Sequence, residues 1–365
     1  MAFCLDDWLD PNKLQQTSLQ LNYREYPDDF IQLALMENPF SWSEDLRAQW
    51  LKVLESVALN RYPSISQQLL KQKLCHFFNI PDDYFVLLDN GSNALIALLL
   101  RVFSGEGRNI LVPSPSYFVY DRLARQMGYQ VSMVDLKANR ELDLNKMLNN
   151  IKLNKPVLTF IAYPNNPTGN CFNEKDIEAI ITASCGLVVI DEAYYPYSQK
   201  TFLEKIQRYD NVLLMRSFSK MGLAGIRLGY LVGPKTIIDT ISKLQLAFSI
   251  NSLTLATADF MLNHYDLLLE QTQTVIQERD RLKSALENNF SVLPSDANYL
   301  VIRSNDLSPE QLHQHCLAQK ILISNISHVH PLLKGCCRVS IGTPAESQLL
   351  LNTLSMPGMP LCLVC

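Results

Sequence analysis

Residues 212–232 read VLLMRSFSKMGLAGIRLGYLV, and the fold is read outward from them. Val212 to Met215 have the composition of a short buried strand, and a second apolar run begins at Ile226. Between them stand Arg216, Ser217, Phe218, Ser219 and Lys220, followed by a link containing Gly222 and Gly225. A lysine placed where a buried strand ends is partly desolvated, which favours its neutral amine. Such an amine can form a Schiff base with a carbonyl compound. The hydroxyls of Ser217 and Ser219 and the guanidinium of Arg227 supply donors and charge suited to a phosphate beside that amine.

Upstream, strand-like runs at 84–88, 110–112, 131–134, 157–161 and 187–190 alternate with helix-like ones at 94–103, from 117, near 144 and from 174. Such alternation predicts a mostly parallel sheet covered by helices on both faces, with ligands at the carboxyl ends of the strands. Those ends carry Pro115-Ser116-Tyr117, then Pro164-Asn165-Asn166-Pro167-Thr168-Gly169, then Asp191-Glu192-Ala193-Tyr194. The turn Asp89-Asn90-Gly91-Ser92-Asn93 lies between a strand and a helix, an arrangement that aims backbone N–H groups at an anion. Two further helices are expected ahead of this sheet, at 45–59 and 67–78. After Lys235 the pattern changes to long helices at 236–247 and 264–289. Short strands at 299–303, 321–323 and 338–341 follow, with a helix at 309–319, so a smaller α+β domain is expected there. The expected division is an arm at 1–40, a large domain at 41–250, a small domain at 251–357 and a tail at 358–365.

The chain has 365 residues, enough for those two cores, and its net charge of −4 gives no basic field for nucleic acid or an anionic membrane. No apolar run has membrane-spanning length, and the first residues lack a basic region followed by an apolar one. The nine cysteines are scattered without a CxxC pair or metal-ligand spacing, so no metal is expected, and reduced thiols in a cytoplasm are the simpler reading. No Gly-Lys-Ser/Thr or GxGxxG turn points to a nucleotide.

Pro-Asn-Asn-Pro-Thr-Gly, Asp-Glu-Ala-Tyr and the lysine segment, in that order, resemble the fold-type I pyridoxal-phosphate aminotransferases. The likeness is closer to the histidinol-phosphate aminotransferases, and runs from Met36-Glu-Asn-Pro-Phe40 to residues 341–347, IGTPAES. It implies an α/β fold-type I transferase with pyridoxal 5'-phosphate as cofactor and Lys220 as the Schiff-base lysine and proton carrier. Asp191 would pair with the pyridine nitrogen, Tyr194 and Asn166 with the ring oxygen, and Tyr117 would stack on the ring. Gly91, Ser92, Asn93, Ser217, Ser219 and Arg227 would hold the phosphate. Tyr62 would reach the cofactor of a neighbouring subunit, which implies a homodimer. Arg338 would bind the anionic end of the substrate, and Tyr23 would touch a substrate phosphate.

Two positions depart from the family pattern. Ser324 stands where a cation usually helps bind the substrate phosphate, and Ala34 where Asn or Asp usually precedes Glu-Asn-Pro. Losing a charged partner costs about 1.5–3 kcal/mol unless Lys320, His328, His330 or Lys334 compensates. The resemblance implies amino transfer between L-histidinol phosphate and 2-oxoglutarate. An aromatic amino acid aminotransferase or an amino-acid-phosphate decarboxylase of the same fold is the alternative.

Overall fold

The computed structural model describes residues 26–27 and 29–355. Tyr23 and the expected tail at 358–365 lie outside the described residues. Strand β1 (Ile31–Gln32) pairs with a strand late in the chain; β2 (Tyr84–Asp89), β3 (Asn109–Ser114), β4 (Gln130–Asp135), β5 (Leu158–Ala162), β6 (Leu187–Asp191), β7 (Val212–Ser217) and β8 (Gly229–Pro234) form one seven-stranded sheet. Its order is β2-β8-β7-β6-β5-β3-β4. All neighbours run parallel except at β8, which is antiparallel to both β2 and β7.

The apolar runs are continuous because both faces are buried, and the two-residue period sorts their side chains. Leu214, Ile190 and Ile161 enter one cluster, while Leu213, Met215, Val189 and Phe160 enter the cluster on the other face. The second strand of the opening segment begins at Gly229 rather than Ile226. A 3-10 turn at Ala224–Ile226 and a left-handed Arg227, φ 52°, delay it.

The remaining strands are β9 (Phe290–Leu293), β10 (Tyr299–Ser304), β11 (Ile321–Leu322), β12 (Ser324–Asn325) and β13 (Cys337–Ser340). They make a four-stranded antiparallel sheet, β12-β13-β10-β9, and the parallel pair β1-β11. The 22-residue helix Tyr265–Leu286 joins the two regions, giving Leu268 to the large-sheet core and Val275, Leu282 and Leu286 to the small-sheet core. Just past residue 250, helix Ser252–Leu262 places Leu255, Ala258 and Met261 in the large-sheet core.

Leu214 has no exposed surface. Its replacement by Ala should lower the stability measured by urea unfolding by about 2–5 kcal/mol. The same change at Leu153, 69% exposed, should stay within about 0.5 kcal/mol.

Candidate active site

The carboxyl ends of β2, β3, β5, β6 and β7 converge, and the expected site residues other than Tyr62, Arg338 and Tyr23 are the last residues of these strands or lie on the turns and helix starts that follow them. Gly229, which opens β8, lies so close to the turn after β2 that a Cβ there would stand 2.8 Å from the Ser92 nitrogen and 2.9 Å from the Gly91 carbonyl carbon. Gly91 opens helix Gly91–Val102 at φ +78°, and a Cβ on it would come within 2.8 Å of the Arg227 guanidinium. The Asn90 side chain does not cap this helix. Its first N–H groups therefore keep their partial positive charge beside Arg227.

The Arg227 Nη1 donates to Ser219 Oγ at 3.1 Å, and the Ser217 and Ser219 hydroxyls hydrogen-bond to each other at 2.9 Å. A guanidinium, two hydroxyls and a helix N-terminus around one small space form a donor set for a phosphate. No acidic side chain bonds to Arg227 among the described residues.

Lys220 lies in the turn Ser219–Met221, half-buried, and its ammonium donates to the Leu35 carbonyl at 3.1 Å. Burial first, then the nearby Arg338 guanidinium, lower its pKa to about 8; Glu37 pulls the other way, and Arg227 adds the smallest lowering. Tyr197 fixes the backbone beneath it by donating to the Lys220 carbonyl at 2.6 Å.

At the end of β6, Asp191 is buried, and burial raises its pKa to about 6. Next to it, Asn166 connects the two sheets: its Nδ2 donates to the Tyr194 hydroxyl at 3.2 Å, and its Oδ1 accepts from Arg338 Nη1 at 2.9 Å. Burial raises the Tyr194 pKa well above its ordinary value, so the hydroxyl stays protonated. Tyr117 donates to Asn93 Oδ1 at 3.0 Å, which links the turn after β3 to the phosphate cradle.

Arg338, on β13, also donates from Nη2 to the Ala34 carbonyl at 3.4 Å, and its Nε is buried with no protein partner. Ser324 faces it across β12 and β13, and its hydroxyl donates to the same carbonyl at 3.1 Å. Of the residues that could replace a cation at Ser324, Lys320 pairs with Asp29, and His330 Nε2 lies 3.2 Å from Asp135 Oδ1. His328 and Lys334 are exposed.

Tyr62 stands apart from this cluster, 77% exposed and stacked on Phe248 at 4.4 Å. Three contributors were not singled out in the sequence. Asn165 clamps its turn by donating to the Pro115 carbonyl at 3.0 Å and to Thr168 at 2.8 Å. Tyr299, from the small sheet, donates to the Asn165 carbonyl at 2.9 Å. A buried Arg216–Glu192 pair at 2.9 Å ties the ends of β7 and β6. Asn165, Glu192 and Arg216 stand within the quoted motifs, but the partners that give them their roles, Pro115 and Tyr299 for Asn165 and each other for Glu192 and Arg216, lie 24 to 134 residues away in sequence.

The arrangement fits pyridoxal phosphate. The Gly91–Arg227 cradle suits its phosphate, the Lys220 amine its aldehyde and the Asp191 carboxylate its ring nitrogen.

The family Aminotransferase class I and II matches residues 28–354. A histidinol-phosphate aminotransferase 2 of Nitrosococcus oceani is 39% identical over 328 residues, covering 89% of this chain and 91% of the relative. The crystal structure of the histidinol-phosphate aminotransferase from Clostridium acetobutylicum aligns with a TM-score of 0.80 at 22% identity, over 89% of this chain and 98% of that one. That of Sinorhizobium meliloti, in complex with pyridoxal-5'-phosphate, aligns with a TM-score of 0.78 at 22% identity, over 89% of each chain.

Two outcomes follow from this geometry. Gly229→Ala should weaken pyridoxal-phosphate binding at least about tenfold in a fluorescence titration, because its Cβ must push the helix N-terminus away. The rate at which the apoprotein takes up the aldehyde should rise with pH and level off above about 8, where the Lys220 amine is free. A water-exposed lysine would keep gaining rate to beyond pH ~10.

Proposed function

The chain belongs to the class I and II aminotransferases, and we propose that it moves the amino group of L-histidinol phosphate to 2-oxoglutarate, giving imidazole acetol phosphate and L-glutamate. The relative from N. oceani, 39% identical, is named a histidinol-phosphate aminotransferase. The observation that carries the reading is the half-buried Lys220 amine, lowered to about 8 and set beside the anion cradle of Arg227, Ser219 and Gly91. Pyridoxal phosphate, when bound, supplies an aldehyde that condenses with amines and a ring that draws in the electrons left when the substrate's Cα loses its proton.

The protein's own groups then divide the work. Arg227, the Ser217 and Ser219 hydroxyls and the N–H groups at Gly91, Ser92 and Asn93 anchor the phosphate. The ionised Asp191 carboxylate holds the proton on the ring nitrogen. The Tyr194 hydroxyl and the Asn166 amide orient the ring oxygen, and Tyr117 covers a ring face. Lys220 Nζ would take the proton from the substrate Cα and deliver it to the carbon that carried the cofactor's aldehyde, the residue's amine serving as base and then as acid. Arg338 binds the substrate's anionic end, where its unpartnered Nε leaves a donor to spare.

The enzyme acts as a homodimer in which the partner's Tyr62 closes the phosphate site. Tyr62, Leu59, Leu246 and Phe248 are 77, 73, 68 and 45% exposed, an apolar patch suited to a second copy. Its place is the cytoplasm. The six described cysteines are free thiols, and among the described residues no helix is long and apolar enough to cross a membrane. The large domain, expected at 41–250, carries the cofactor site and takes helix Ser252–Leu262 into its core as well, and the small domain, expected at 251–357, supplies Arg338.

Ser324 favours a second reading. With a hydroxyl where a cation would stand, Arg338 is the guanidinium that Ser324 faces, and a single guanidinium fork suits the carboxylate of an aromatic amino acid. Mixing the loaded protein with histidinol phosphate and, separately, with phenylalanine decides between them. Rapid bleaching of the visible chromophore by histidinol phosphate alone supports the leading reading; preference for phenylalanine overturns it. Light scattering should give twice the chain mass, and Tyr62→Ala should weaken cofactor binding.

A further inference from the structure

Tyr120 lies in helix Phe118–Gln126 with none of its surface exposed. Its ring stacks on Phe160 at 4.8 Å and meets Tyr117 edge-on at 5.5 Å. A phenol so enclosed needs a partner for its hydroxyl. That partner is Asp191: the Tyr120 O–H donates to Oδ2 at 2.5 Å, while the Ala193 N–H donates to Oδ1 at 3.0 Å.

The charged and titratable groups around Asp191 are few. Tyr120 faces it from the helix, Glu192 and Tyr194 lie on its own loop, and Arg216 of β7 is taken up by Glu192. The Asp191 charge therefore rests on two hydrogen bonds in a dry setting. The one from Tyr120 has the length of a charge-assisted O–H···O⁻ bond.

We propose that Tyr120 is a positioning residue for this reaction, holding Asp191 ionised and turned so that a carboxylate oxygen meets the cofactor's ring nitrogen. The proposal rests on the preceding reading of the site. Burial pushes the Asp191 carboxyl up, and the hydrogen bonds from Tyr120 and Ala193 oppose that rise. Losing the Tyr120 bond leaves the acid to hold its proton to higher pH. A neutral carboxyl at that position keeps no proton on the ring nitrogen.

Tyr120→Phe removes the hydroxyl and leaves the ring stack with Phe160. The experiment measures pyridoxal-phosphate dissociation constants of the apoprotein from pH 6 to 9, together with kcat and KM of the loaded enzyme. The expected result is binding weakened about tenfold near pH 7, a gap that closes at higher pH, and the acid limb of kcat moved up by about one pH unit with KM for the amino donor unchanged. Phe160→Leu loosens the stack and keeps the O–H, so it should weaken binding by one factor at every pH and leave the limb in place. A uniform loss in Tyr120→Phe, or none, overturns the proposal and makes Tyr120 a packing residue. If wild-type protein fails to take up pyridoxal phosphate at Lys220, the preceding reading fails instead.

Discussion

The guanidinium of Arg338, on the four-stranded sheet, donates to the amide oxygen of Asn166, on a loop of the seven-stranded sheet. This bond determines the amide's orientation. With its oxygen taken by a cation, the nitrogen faces Tyr194 and donates to its hydroxyl. One chain of hydrogen bonds thus runs from the place where a substrate's anion would bind to the place where the cofactor ring would lie. Tyr299 strengthens the junction by donating to the Asn165 carbonyl, and Asp296 adds a backbone bond to Gly169 at 2.7 Å. A ligand that pulls on Arg338 therefore acts on the Asn166 amide as well.

Electrostatics favours anions here. Lys220, Arg227 and Arg338 gather at the strand ends, and each of the other two makes the Lys220 ammonium harder to hold. The one acid that presses the other way, Glu37, is exposed. The buried Arg216–Glu192 pair does not relieve this crowding, because its charges satisfy each other and the Thr201 hydroxyl. Bringing a phosphate and a substrate anion into the cleft would offset the desolvation of these cations, so ligand affinity and a reactive amine have the same origin.

The parts of the site that were legible in the sequence are those whose chemistry is local. The Pro-Asn-Asn-Pro-Thr-Gly turn, the Asp191–Tyr194 run and the Ser217–Lys220 turn each place their side chains through a few consecutive residues, and the structure gathers them at adjoining strand ends. The partners that tune them were not legible. Tyr120 reaches Asp191 across 71 residues of chain, and Tyr299 reaches the Asn165 carbonyl across 134. In the fold, the parallel sheet showed as alternating apolar runs. Helix Ser252–Leu262 did not, because it is apolar nearly all round and lacks a polar stripe to mark its period. Strand β9 is only four residues long, too short for its alternation to stand out.

In the proposed function Lys220, placed by the end of β7 beside an anion cradle, is the amine that binds the cofactor's aldehyde. Borohydride reduction of the pyridoxal-phosphate-loaded protein, followed by peptide mass mapping, tests it directly. The expected result is one reduced pyridoxyl label per chain, on Lys220, and no visible chromophore in Lys220→Ala. A label on another lysine, or a chromophore that survives in Lys220→Ala, would contradict it.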